Sequence, residues 1–122
     1  MTGVNMRKKA VVLCLLLSVC LTACGKKELT DEQAVSAIRR YCCTQNPDLE
    51  NMVNGGEYPV YWDVASRDEH EIVILFRSYT GAQIRYHIDP VSGDTYVTEF
   101  VPGITSGEES LDESLNVWDY VR

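Results

Sequence analysis

The chain has 122 residues, with 18 Asp and Glu against 11 Lys and Arg, and a formal net charge of −7. Arg7, Lys8 and Lys9 precede Cys24, so the 99 residues from Cys24 onward hold eight basic side chains, carry −10 and make one small domain. A domain of this size buries roughly 60–68% of its unfolded surface, enough for one thin core and no large enclosed site. Its charge repels nucleic acid, whose binding rests on neutralising phosphates with Lys and Arg.

Met6-Arg7-Lys8-Lys9 opens the chain's first pattern, and an apolar run from Ala10 to Ala23 follows. Fourteen residues, Ser18 and Thr22 among them, fall short of the about 20 that span a ~30 Å hydrocarbon core. A charged start, a short apolar run and small residues before a cleavage point form an export signal. Leu21-Thr22-Ala23-Cys24-Gly25 closes the run and resembles the lipobox of bacterial lipoproteins. That resemblance implies removal of residues 1–23 and a diacylglyceryl thioether on Cys24, which becomes the first mature residue. An ordinary cleaved signal peptide and an uncleaved anchor are the other readings, and Met6 can serve as the start. Two acyl signals give stable anchoring where one is marginal. The expected location is the cell membrane, lipid-anchored on its extracytoplasmic face. Residues 24–29 form a tether, and the six residues between Cys24 and Asp31 reach about 20 Å at full extension. Lys26 and Lys27 either meet anionic headgroups or serve as plain linker.

Of the five cysteines, Cys14 and Cys20 belong to the leader and Cys24 to the anchor. Cys42 and Cys43 remain. Neighbours across a trans peptide lie 3.80 Å apart, closer than the Cα separation a disulfide prefers, so a bridge between them would be strained. As metal ligands they lack zinc-motif spacing, and only His70 and His87 are there to join them. They read as structural thiols.

Thr30-Asp31-Glu32-Gln33 is a capping box, with Leu29 and Ala34 at the places of a hydrophobic staple. Ala34, Val35, Ile38, Tyr41 and Cys42 recur at helical spacing. This helix should end near Thr44, because Pro47 drives Asn46 out of the α region. A shorter helix starts at Asn46-Pro47-Asp48, buries Leu49, Met52 and Val53, and stops at Asn54-Gly55-Gly56. From there the period becomes two. Val60, Trp62 and Val64 alternate with Tyr61, Asp63 and Ala65. Ile72, Ile74 and Phe76 alternate with Val73, Leu75 and Arg77, and Ile84, Tyr86 and Ile88 with Gln83, Arg85 and His87. Asp89 to Asp94 is a tight turn with Gly93 free to take positive φ, and Thr95 to Val101 is the last strand. The expected fold is α+β: an N-terminal helix packed on a four-stranded antiparallel meander over residues 30–103. Residues 104–122 form an acidic tail in which Leu111, Leu115 and Trp118 are at helical spacing.

The hairpin Tyr86-His87-Ile88-Asp89-Pro90-Val91-Ser92-Gly93-Asp94-Thr95, preceded by a helix, resembles that of a PepSY-type domain, over residues 30–101. The resemblance implies a secreted or membrane-associated bacterial protein, with a role in restraining proteases proposed for some members. The segment 45–58 and the acidic tail depart from the common form. Cystatin-like and lactamase-inhibitor-like modules share the order of elements.

No nucleophile elbow, phosphate loop or His-Glu metal helix is present, and nothing calls for a cofactor or a metal. His87 and Asp89, two residues apart, offer an acid/base pair or a hydrogen-bonded corner. Asp89 and Asp94 offer too few oxygens for calcium. With the strands' apolar residues turned to the helix, the opposite face presents Tyr61, Val73, Leu75, Arg77, Tyr79, Arg85 and His87. Tyrosines with arginines are enriched at binding hot spots. The tail either docks on Arg77 and Arg85 or stays free. The leading expectation is a non-enzymatic envelope lipoprotein that binds a protein or peptide through Tyr61, Arg77, Tyr79, Arg85 and His87. The alternatives are a small-ligand or hydrolytic domain using His87 and Asp89, and a purely structural envelope component.

Overall fold

The structure, a computed structural model, describes residues 27–56 and 59–122. The leader, Cys24 and Lys26 lie outside the described residues. Among those described, no helix is long and apolar enough to cross a membrane.

Helix α1 (Asp31–Gln45) starts at the capping box: Thr30 Oγ1 accepts from the Gln33 amide at 3.1 Å, and Gln33 Oε1 accepts from the Thr30 amide at 3.0 Å. Its buried face is Ala34, Ala37, Ile38, Tyr41 and Cys42, with Val35 at the margin. Asn46 ends it by donating its amide to Cys42 O. Helix α2 (Asp48–Gly55) follows, with Pro47 just ahead of it and Leu49 buried.

The sheet is an antiparallel meander in the order β1 (Tyr61–Arg67), β2 (Ile72–Arg77), β3 (Gln83–Ile88), β4 (Asp94–Phe100) and β5 (Glu109–Asn116). Ile72, Ile74, Phe76, Tyr86, Ile88 and Val97 join the α1 face in one core, together with Leu29 and Val117. Helix α1 therefore covers one face of the sheet, and among the described residues no helix covers the other.

The α+β class and the four expected strands are present, and the sheet has one strand more. The tail, whose Leu111, Leu115 and Trp118 are at helical spacing, forms β5 along the edge of β4 and then a 3-10 turn, Val117–Tyr120, against α1. Leu111, Glu113 and Leu115 alternate with Ser110, Asp112 and Ser114, so Leu111 and Leu115 fit a strand as readily as a helix. Pairing with β4 satisfies the backbone groups that would otherwise make β4 an open edge.

The turn from β3 to β4 is where the residues just ahead of α1 meet those just after β5. Gly93 sits at φ 80°, and Asp89 Oδ1 accepts the Val91 and Ser92 amides at 2.8 and 2.9 Å. Pro90 O accepts the Leu29 amide at 2.8 Å, and Gly93 O accepts the Val117 amide at 2.9 Å. Trp118 Nε1 donates to Val91 O at 2.9 Å, and Asn116 Nδ2 donates to Ser92 O at 3.0 Å. Lys27 Nζ stands 6.0 Å from the Trp118 ring centroid. The expected tight turn is thus also a clasp for both termini of the domain.

Candidate functional site: the open face of the sheet

Strand register arranges the open face in three rows. Tyr61, Arg77, Gln83 and Phe100 make the first, and Asp63, Leu75, Arg85, Thr98 and Ser110 the second. Ser66, Val73, His87, Tyr96 and Ser114 make the third. Alternation along each strand sends these side chains away from α1. Tyr61 and Tyr96 are about half exposed, at 45% and 52%, while Val73 in the third row is buried. Arg77 Nε is buried and makes no hydrogen bond among the described residues.

The third row carries a hydrogen-bonded network. The His87 ring stacks on Tyr96 with centroids 4.4 Å apart and planes within 2°. Its Nδ1 lies 3.3 Å from Glu71 Oε1 and its Nε2 2.9 Å from Thr98 Oγ1. Tyr96 donates its hydroxyl to the other Glu71 oxygen at 3.3 Å. Burial of the Tyr96 hydroxyl, and then the negative charge of Glu71, push its pKa up. Thr98 donates to Glu108 Oε1 at 2.8 Å, and Arg85 Nη1 stands 3.5 Å from that same oxygen. A hydroxyl has one proton to give. With that proton on the Glu108 bond, Thr98 accepts from His87 Nε2–H, and Nδ1 is a donor to Glu71 only in the imidazolium form. In this arrangement Thr98 is not a nucleophile facing a free base.

Asp89 is not brought to His87. Strand β3 ends at Ile88, and the Asp89 carboxylate is spent on the turn amides of Ser92 and Val91. Those amides are the main reason its pKa falls below the ordinary carboxylate range. The partners of His87 are instead Glu71, Thr98 and Tyr96. Asp68 orients Glu71 by accepting the His70 and Glu71 amides at 2.7 and 2.8 Å, which lowers its own pKa in turn.

Of the five side chains expected to bind through this face, Tyr61, Arg77, Arg85 and His87 share it. Tyr79 does not. Strand β2 stops at Arg77, and Tyr79 lies in the turn that returns from Ser78 to Ala82, where alternation no longer holds. It lines a cleft on the helix side with Tyr41, Cys42, Phe76 and Tyr86. Sequence reasoning missed Tyr96, although pairing across the Asp89–Asp94 turn sets it opposite His87. It also missed Glu71, Thr98 and Glu108, polar residues with no periodic signal of their own. The tail reaches Arg85 only through Glu108, which precedes β5, and it leaves Tyr61 and Tyr96 exposed.

Cys42 is buried and Cys43 partly so, both as free thiols. Burial pushes the Cys42 thiol up to about 11, and burial raises Cys43 as well. Neither is a thiolate nucleophile at neutral pH. Among the described residues, no three His, Cys, Asp or Glu side chains gather as a metal cage would require.

No family model, no curated protein and no solved structure matches the chain.

Proposed function

We propose that the chain is an extracytoplasmic lipoprotein, anchored through Cys24, whose PepSY-like domain binds a protein or peptide at the cell envelope without catalysing a reaction. One observation carries this reading. Among the described residues no helix lies over the sheet face opposite α1, which presents half-exposed Tyr61 and Tyr96 beside Arg77 and Arg85. Tyr and Arg supply most hot-spot energy at interfaces, because each brings a large contact area together with hydrogen-bonding capacity. The Glu71–His87–Tyr96 stack holds Tyr96 in place, so less side-chain freedom is lost when a partner docks. The hydrolytic alternative has less support, because Asp89 faces its own turn and the Thr98 proton is directed to Glu108.

The test compares the full chain with an Arg77→Ala plus Tyr61→Ala variant as baits in native envelope extracts. A partner that binds the wild type should be depleted at least about tenfold on the variant, the loss expected from two hot-spot truncations. Equal capture by both baits, or no partner with either, would overturn the reading. The anchor is tested separately: Cys24→Ala should move the protein from the membrane fraction to the soluble one, and unchanged membrane association refutes lipidation.

A further inference from the structure

The cleft that receives Tyr79 is separate from the open face. It lies on the helix side, bounded by the C-terminal end of α1, by Leu49 of α2 and by the β2–β3 turn, and encloses about 210 Å³. Four aromatic rings line it, those of Tyr41, Phe76, Tyr79 and Tyr86. Among its lining residues the only charged side chain is Glu113, which β5 places there. Glu113 Oε2 accepts from Tyr41 Oη at 2.6 Å. Among the described residues, no Lys, Arg or His comes within ion-pair distance of Glu113.

A carboxylate held against rings, with no cation of its own, selects for charge. An anion would meet Glu113 repulsion. A neutral apolar group would strip water from Glu113 and offer nothing in return. An ammonium group satisfies both components, pairing with the carboxylate and meeting an aromatic lining in which Tyr79 is half exposed and Tyr41, Phe76 and Tyr86 are buried. We infer that this cleft binds the ammonium end of a small organic cation. The volume is below the roughly 300–1,000 Å³ of drug-sized sites, so an alkylammonium head enters and the rest of the ligand stays outside. The charge of −10 beyond Cys24 raises the local concentration of such cations at the surface. Tyr41 and Tyr86 remain neutral, since burial and their hydrogen-bond partners drive their hydroxyls well above the ordinary phenol range. Free amines and lysine side chains carry the same end group.

The experiment titrates the isotopically labelled full chain, in detergent and at constant ionic strength, with n-butylammonium chloride, 1-butanol and Nα-acetyl-lysinamide. Butylammonium should shift the amides of Leu49, Ser78, Tyr79 and Glu113 saturably over the millimolar range, and 1-butanol should not. Glu113→Gln keeps the volume and an acceptor for Tyr41, and should weaken binding about tenfold or more, as loss of a charge-assisted hydrogen bond does. Tyr79→Ala removes a half-exposed ring and should weaken it about two- to fivefold. Ile104→Ala, at an exposed side chain that belongs to neither surface, should leave binding unchanged. If Glu113→Gln fails to fold, Tyr79→Ala decides. Nα-acetyl-lysinamide binding as well as butylammonium identifies a lysine end as the ligand; markedly weaker binding identifies a free amine. Equal shifts from 1-butanol, absence of saturable shifts, or undiminished binding by whichever variant decides would overturn the inference.

Discussion

Gly93→Ala tests whether the β3–β4 turn clasps the two ends of the domain. A Cβ at Gly93 would stand 2.4 Å from Trp118 Cδ1 and 2.6 Å from Asn116 Oδ1. The φ of 80° adds a steric cost of about 1–2 kcal/mol for any L side chain. Relief requires Trp118 and Asn116 to move, which breaks the Trp118 Nε1–Val91 O and Asn116 Nδ2–Ser92 O bonds at about 1 kcal/mol each. The sum is about 3–4 kcal/mol, a large share of the about 5–15 kcal/mol that holds a domain together. At 4–8 °C per kcal/mol, Tm should fall by roughly 12–30 °C. Gly103→Ala is the control, because Gly103 has φ 82° and open space around its Cα. It should lose only the backbone share, about 1–2 kcal/mol. Thermal and urea unfolding followed by circular dichroism would measure both. Equal losses in the two variants would refute the clasp and leave only a left-handed backbone cost.

Two further outcomes follow from charge and burial. Asp68 and Asp89 have depressed pKa values in the fold because backbone amides hydrogen-bond their ionised forms. Their stabilisation is therefore present above the unfolded-state pKa of about 3.9 and is lost as pH falls through the lower folded value. The urea midpoint should drop below about pH 4, and an Asp68→Asn plus Asp89→Asn variant, which keeps the acceptor and removes the charge, should show a shallower acid limb; an unchanged limb refutes the assignment. In native buffer Cys43 should react with iodoacetamide well before Cys42, whose thiol is buried and pushed up to about 11. Peptide mass spectrometry of the labelled chain reads the order, and equal rates would contradict the packing of α1.

Legibility differed element by element for physical reasons. Helix α1 was fully readable because its start is a local device, Thr30 with Gln33, and its stripe repeats over three turns. Strands β1 to β3 were readable from alternation and β4 from the turn ahead of it, and alternation also gave the open-face places of Tyr61, Arg77, Arg85 and His87. Strand β5 was hidden because a spacing of four residues between Leu111 and Leu115 is compatible with period 3.6 and with period two. The inward place between them is Glu113, a polar residue where the pattern expects an apolar one. Tyr79 and Asp89 were misplaced for a shared reason: each lies just beyond a strand end, where counting by twos stops applying. The network around His87 joins side chains that tertiary structure alone brings together, from the β1–β2 turn, from β4 and from the loop before β5.

The segment after Gly103 links the functional surfaces proposed for this domain. The loop before β5 delivers Glu108 to Arg85 and Thr98 on the open face. Strand β5 delivers Glu113 to the aromatic cleft on the opposite side. Asn116 and Trp118 then close on the β3–β4 turn, whose Pro90 also holds Leu29 just ahead of α1. An acidic stretch of this composition would be a candidate for disorder in isolation. Here Leu111, Leu115 and Val117 pack with the core, and backbone pairing with β4 ties the stretch to the sheet. Its acids are therefore held at fixed places on both faces, where two of them act on named partners instead of forming a diffuse solvated charge.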